Sequence, residues 1–210
     1  KGVLNAAGVE AFNKKIIAAS PTVYDMAAYP KTLSGKTVAT YVNTHTDLSD
    51  ELYREGKLVS DNYKNILRSQ TNAAAIPAEV TVRYGVTVRR ANLRNLPTGE
   101  GLFFYASDRN FDALQETALD PGEAVAILHT STNGYFYYVQ AYNYRGWLSK
   151  FDVAETDRST WLRYAEPKNF LTVVAKDYTL KADGAQVLFQ QGARLQLADK
   201  KASAYTVKVP

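Results

Sequence analysis

The sequence contains no cysteine, and that absence removes thiol nucleophiles, disulfide staples and cysteine-rich zinc sites together. Histidine is almost as scarce. His45 and His129 stand far apart, and a zinc site built on them would need carboxylates from elsewhere, so no metal and no cofactor is expected. No glycine-rich phosphate loop is present. There is no long unbroken apolar run, and a mean hydropathy of −0.30 argues against a helical membrane span. What the chain does hold is 46% apolar residues and 15 tyrosines in 210 positions, enough for a real core in one or two domains and too much for wholesale disorder. The formal charge of +4 is a small excess, which implies weak attraction to anionic polymers in the absence of a concentrated patch. The first residue is Lys1 rather than Met, and a processing product or a cut end is expected there. Freedom from cysteine suits an oxidising compartment.

Three segments differ in character. Residues 1–79 read as helical and irregular. Val9, Phe12, Ile16 and Ala19 recur at helical spacing until Ser20-Pro21 ends the run. A second helix is expected from Asp47, as N-cap, to Gly56, and a third from Ser60 or Asp61 carrying Tyr63, Ile66 and Leu67. Each is short with a narrow apolar stripe, so each must dock on something else. The run Asn72-Ala73-Ala74-Ala75-Ile76-Pro77 looks like a linker.

Residues 80–158 are strand-rich. Val80–Tyr84 and Val86–Arg89 alternate with period two and break at Gly85. A long irregular stretch from Leu96-Pro97 to Asp120-Pro121-Gly122 holds Phe103, Phe104, Tyr105 and Phe111, and so many aromatics are expected to fold back on a sheet. Ala124–His129, the turn Thr132-Asn133-Gly134 and the strand Tyr135–Ala141 form a hairpin signal, followed by Asn143–Gly146 and Trp147-Leu148-Ser149. Short strands, tight turns and one long connection describe a small β-barrel. Residues 159–210 read as a linker and another strand series around Ala182-Asp183-Gly184, too short for a closed barrel, so an open sheet edge is expected. The fold class is therefore α+β: a helical N-terminal segment followed by small barrels, the second incomplete.

Few residues invite chemistry. His129 sits in a strand with Val125 and Ile127 on its face and no cysteine to pair with, which favours a structural role; His45 suits a surface or capping position. Asp108, Asp112, Glu116, Asp120, Glu123, Asp152, Glu155 and Asp157 include enough acids for a glycosidase pair, yet loop solvation and turn capping explain them more simply. Phe136, Tyr138, Tyr142, Tyr144 and Trp147 exceed what one small core needs, so one aromatic face is expected to fill the core and another to meet a neighbour or a ligand. Arg83, Arg89, Arg90 and Arg94 leave single-stranded nucleic-acid binding as a distant alternative, since Arg89 and Arg90 point to opposite faces.

Arg89–Thr98, Phe111–Glu123, Ile127–Ser131 and Val139–Trp147 occur in order. Together they resemble the first bacterial SH3 (SH3b) domain of NlpC/P60-type murein peptidases, the dipeptidyl-peptidase VI-like γ-D-glutamyl-L-diamino acid endopeptidases. The segment before them is similar to the N-terminal clip of those enzymes, and Gly192–Leu195 with Tyr205–Pro210 resembles the start of their second SH3 domain. The resemblance implies an extracytoplasmic, non-catalytic region that binds the cell wall and gates substrate. A downstream cysteine peptidase domain would act on peptidoglycan stem peptides. With no cysteine here, no catalytic residue is assigned to this chain. A stand-alone SH3b recognition module is the alternative. In the resembled enzymes the first SH3 domain walls the active-site cleft and holds the free amino end of the stem peptide. By that analogy the candidate ligand residues are Tyr144, Asp112, Gln115, Tyr142 and Trp147, with Asp112 as the amine partner and Gln115 able to pair with an amide.

Overall fold

The computed structural model describes all residues except 1–2, 45–47, 183 and 203. His45, Asp47 and the middle of the expected turn at Asp183 lie outside the described residues.

Helix α1 (Ala6–Ala19) starts where Asn5 Oδ1 accepts the Gly8 amide at 2.8 Å and ends at Ser20, before Pro21. It buries no side chain, and Phe12 is 55% exposed, so the docking expected of every helix is not met here. Strand β1 (Thr32–Ser34) leads into α2 (Gly35–Thr44), which buries Val38 and Val42. This helix was hidden in the sequence because Gly, Val and Thr are poor helix formers. Burial against the sheet, and Ser34 Oγ accepting the Thr37 amide at 3.1 Å, outweigh that weak propensity. The helix expected up to Gly56 does not form. Instead β2 (Tyr53–Arg54) and β3 (Lys57–Leu58) make a hairpin, with Glu55 and Gly56 at φ of 52° and 81°. Two successive positive φ values are what a tight primed hairpin turn requires. Helix α3 (Asp61–Ser69) is capped by Ser60 and sets Leu67 inward. A single 3₁₀ turn, Ala73–Ala75, takes the place of the expected linker.

Strand β4 (Glu79–Thr81) pairs with β1 of the clip rather than with the strands that follow, and the break falls at Val82, with Gly85 inside β5 (Arg83–Thr87). Then come β6 (Ala91–Arg94), β7 (Gln115–Leu119), β8 (Ala124–Thr130), β9 (Phe136–Gln140), β10 (Arg145–Ser149) and β11 (Val153–Thr156). They form one antiparallel seven-stranded sheet in the order β11-β5-β8-β9-β10-β6-β7. The ladder has two ends and does not close by hydrogen bonding. It curls instead: Val153 on one edge strand and Leu119 on the other belong to the same cluster, with Val125, Ile127, Val139 and Leu148. The expected barrel is thus an SH3-like sheet wrapped around a core but left open.

The opposite face of the sheet carries a second core. Val86, Ala126, Leu128, Tyr138 and Trp147 meet Met26, Tyr29, Val38 and Val42 of the clip. The irregular stretch contributes differently from expectation. Its leucines Leu96, Leu102 and Leu114 pack with Leu48, Leu52, Val59 and Leu67, while Phe111 stays 78% exposed. Apolar aliphatic chains of the right volume hold the loop on the clip, and its tip aromatics face water. Its last residues, Gln115–Leu119, are strand β7.

The segment read as a linker after residue 158 begins as a helix. Asp157 caps α4 (Arg158–Ala165), and Trp161 is buried against Tyr84 with its indole N–H donating to the Val125 carbonyl at 3.0 Å. Beyond it lie β12 (Phe170–Thr172), β13 (Asp177–Ala182), β14 (Ala185–Gln190), β15 (Arg194–Lys201) and β16 (Ala204–Lys208). They form a β13–β14 hairpin and a β12-β15-β16 sheet around Val173, Phe189, Ala193 and Leu195, with open edges as expected.

Candidate functional site

The clip and the end of the β9–β10 hairpin enclose a cavity of about 400 Å³, lined by Thr22, Tyr41, Thr44, Gln140, Asn143, Tyr144 and Arg145. The sheet supplies its floor: β9 ends at Gln140 and β10 begins at Arg145, so the turn between them projects Asn143 and Tyr144 toward the clip. The Arg145 guanidinium lies 3.6 Å over the ring of Tyr41, and its Nη2 donates to the Tyr24 hydroxyl at 2.6 Å. A cation held against an aromatic face in this way is fixed and only partly hydrated. Burial pushes the Tyr24 phenol up, and Arg145 opposes that rise. Tyr24 is also anchored through its own amide, which donates to the Tyr142 carbonyl at 2.7 Å.

Gln140 is buried. Its Nε2 donates to the carbonyls of Ala141 at 2.7 Å and Tyr144 at 3.0 Å, while its Oε1 is enclosed with no hydrogen-bond partner. A buried amide oxygen without a donor is costly, and this one lies behind the cavity wall rather than on it. Tyr144 is 38% exposed, and its hydroxyl donates to Glu116 Oε2 at 3.1 Å, a bond that raises the phenol above its ordinary range. The cavity thus offers a guanidinium, two amides, hydroxyls and aromatic faces. Among the described residues, none of its lining side chains is a carboxylate or an imidazole. It can hold a polar, peptide-like group.

The five candidates from the sequence separate in space. Tyr144 lines this cavity. Tyr142 lines an adjoining cleft with Tyr24, Ile16, Ile17, Glu123 and Arg194. Trp147 is wholly buried, edge-on to Tyr138 with centroids 5.2 Å apart. Asp112 is engaged in the interior: Oδ2 accepts from Arg94 Nη1 at 2.7 Å, and Oδ1 accepts the amides of Leu102 and Leu114. Gln115 sits on β7, with Nε2 3.4 Å from Asn92 Oδ1. Arg145, Gln140 and Tyr41 were missed, since nothing in their local sequence marks them; Glu116 was seen only as one acid among many.

The remaining groups are engaged by neighbours. His129 Nε2 donates to the Asn72 carbonyl at 3.0 Å, burial holds its pKa below the ordinary value, and its ring meets Trp147. Arg83, Arg89, Arg90 and Arg94 face Glu155, Asp152, Asp120 and Asp112 in turn, so the run carries no free basic stripe. Asp108 accepts the amides of Asn110 and Phe111 within its own loop. Among the described residues no group of three or more His, Cys, Asp or Glu could hold a metal ion. Among them, too, no helix is long and apolar enough to cross a membrane.

An α+β chain in which a helical clip covers one face of an SH3-like sheet is the architecture these elements define. Residues 102–149 match the SH3 domain family of SH3b1 type. Over its whole length the chain is similar to a solved structure described as an NlpC/P60 endopeptidase from Photobacterium damselae subsp. piscicida, with a TM-score of 0.67 and 16% identity. It covers 52% of that chain, about half of its length. Among curated proteins, none matches the sequence. The central region is therefore similar to an SH3b domain, and the chain shares its fold with part of an NlpC/P60 endopeptidase structure.

Proposed function

We propose that this chain is a cell-wall-binding and substrate-gating region of an NlpC/P60-type peptidase, working outside the cytoplasm. The observation that carries the reading is the cavity between the N-terminal segment and the SH3b sheet, where Tyr144, Arg145 and Asn143 converge. A peptidoglycan stem peptide suits these groups. Its carboxylates match the Arg145 guanidinium, its amides can pair with the Asn143 side chain, and its free amine finds Glu116 beside Tyr144. Glu116 replaces Asp112 as amine partner in this reading, because Asp112 is held by Arg94. The thiolate that would cleave a γ-D-glutamyl-diamino acid bond would have to come from another domain, since this sequence has no cysteine.

The test is titration of the chain with L-Ala-γ-D-Glu-diaminopimelate, followed by NMR or calorimetry. Saturable binding is expected, weakened about tenfold in Tyr144→Ala through loss of the ring contact and its Glu116 bond. No hydrolysis should occur. Absence of binding to both muropeptide and intact peptidoglycan, or turnover by the purified chain, would overturn the proposal.

A further inference from the structure

Position by position, the charge is unevenly placed. Residues 1–158 hold seventeen Lys and Arg against seventeen Asp and Glu, so the entire +4 falls on residues 159–210, with eight against four. Arg54, Arg83, Arg89, Arg90 and Arg94 each face a carboxylate, whereas among the described residues no Lys or Arg after Arg158 makes an ion pair.

Three of those cations, Arg163, Lys168 and Lys208, line one cleft of about 550 Å³ between the end of α4 and strands β15 and β16. Glu166 is the one acid on its wall, and Asn169 and Gln196 add amides. The cleft is held in shape: the Gln196 side chain donates to the Arg163 carbonyl, and the Leu197 amide donates to the Asn169 carbonyl at 3.0 Å. Arg163 Nη2 also donates to Thr160 Oγ1 at 3.0 Å, which fixes one edge of the guanidinium and leaves other N–H groups for a ligand. The partial negative charge at the C-terminus of α4 works against an anion there, but it amounts to about half a charge against three full cations. No aromatic ring lines the cleft, so nucleic-acid bases would have nothing to stack on.

We infer that this cleft binds a phosphate-bearing polyanion chain, at a place that shares no lining residue with the Tyr144–Arg145 cavity. Its Arg fork and two ammonium groups recognise phosphate oxygens, and the excess charge around it draws such a chain in. The inference does not depend on muropeptide binding in the other cavity.

The experiment measures binding of long-chain inorganic polyphosphate to the whole chain at several salt concentrations. Arg163→Gln/Lys168→Gln/Lys208→Gln is compared with Lys15→Gln/Lys36→Gln/Lys57→Gln, which removes the same charge elsewhere, and circular dichroism checks that both fold. The cleft variant should bind about tenfold more weakly with a shallower salt dependence, and the control within about twofold of the parent. If the triple variant fails to fold, Lys168→Gln and Lys208→Gln singly should each weaken binding. Equal losses in the two triple variants, or no polyphosphate binding by the parent, would refute the site. So would binding to anionic lipid vesicles alone, or tighter binding to single-stranded DNA than to polyphosphate of equal charge.

Discussion

The hydroxyl of Tyr138, in the middle of the sheet, donates to the carbonyl oxygen of Tyr41 in the clip at 2.8 Å. That bond ties the wall of the candidate cavity to its floor. It also satisfies one of the last carbonyls of α2, a group that helix geometry leaves short of intrahelical partners. Tyr138→Phe should lower stability by about 1 kcal/mol, the usual net worth of such a bond, in a denaturant titration. An unchanged midpoint would mean that clip and sheet are not joined through it.

The Arg94–Asp112 pair tests how the long loop is held. Both side chains are largely buried, so Asp112→Ala would leave a guanidinium without its counter-charge and free the amides of Leu102 and Leu114. A loss of about 3 kcal/mol is expected, together with faster hydrogen exchange at those two amides. Stability near that of the parent would place Asp112 at the surface and return it to consideration as a ligand group.

Glu123 should carry a measurable pH signature. Burial raises its pKa, with Arg194 opposing and Asp120 adding to the rise. A carboxyl raised in the folded state costs stability above its folded pKa, and that cost disappears as pH falls through it to the ordinary value. Glu123→Gln should therefore be more stable than the parent at pH 7, with the advantage shrinking on acidification. A gain that grows as pH falls would contradict the sign.

Asp157 should behave in the opposite sense. Its bonds to the Ser159 and Thr160 side chains and amides hold its carboxyl well below the usual range. Its contribution to α4 is present above the ordinary aspartate pKa and is lost as pH falls below it. Asp157→Ala should destabilise the chain at neutral pH, and thermal melts of the two proteins should converge in strong acid.

Gly35 permits the close approach of α2 to the chain that leads into β4. Its amide donates to the Ala78 carbonyl at 2.7 Å, and a Cβ there would lie 1.9 Å from the Pro77 carbonyl oxygen. Gly35→Ala should cost about 3 kcal/mol by forcing β4 away from α2. A variant as stable as the parent would show that this junction is loose.

Local signals were legible where neighbours in sequence settle the matter. Ser20-Pro21 ends α1, Ser60 starts α3, and Asn133-Gly134 turns the β8–β9 hairpin. The same kind of evidence failed at residues 48–56, where an acidic stretch before a glycine resembles a helix but the chain turns as a hairpin. It failed again at α2, whose weak propensity is overridden by burial of Val38 and Val42, and α4, which docks through Trp161, was read as a linker.

The sequence by itself determined the α+β class, the strand-rich centre, the open-edged final segment and the absence of a thiol. Each of these depends on composition, periodicity or turn chemistry within a few residues. Only the tertiary structure decided which charged groups are free. It buried Asp112 on Arg94, paired Arg83, Arg89, Arg90 and Arg94 with carboxylates, left Arg163, Lys168 and Lys208 without an ion pair among the described residues in one cleft, and set Tyr144 and Arg145 beside Gln140. Such pairings join positions far apart in the chain, and electrostatic partnership depends on distance in space, to which local sequence pattern is blind.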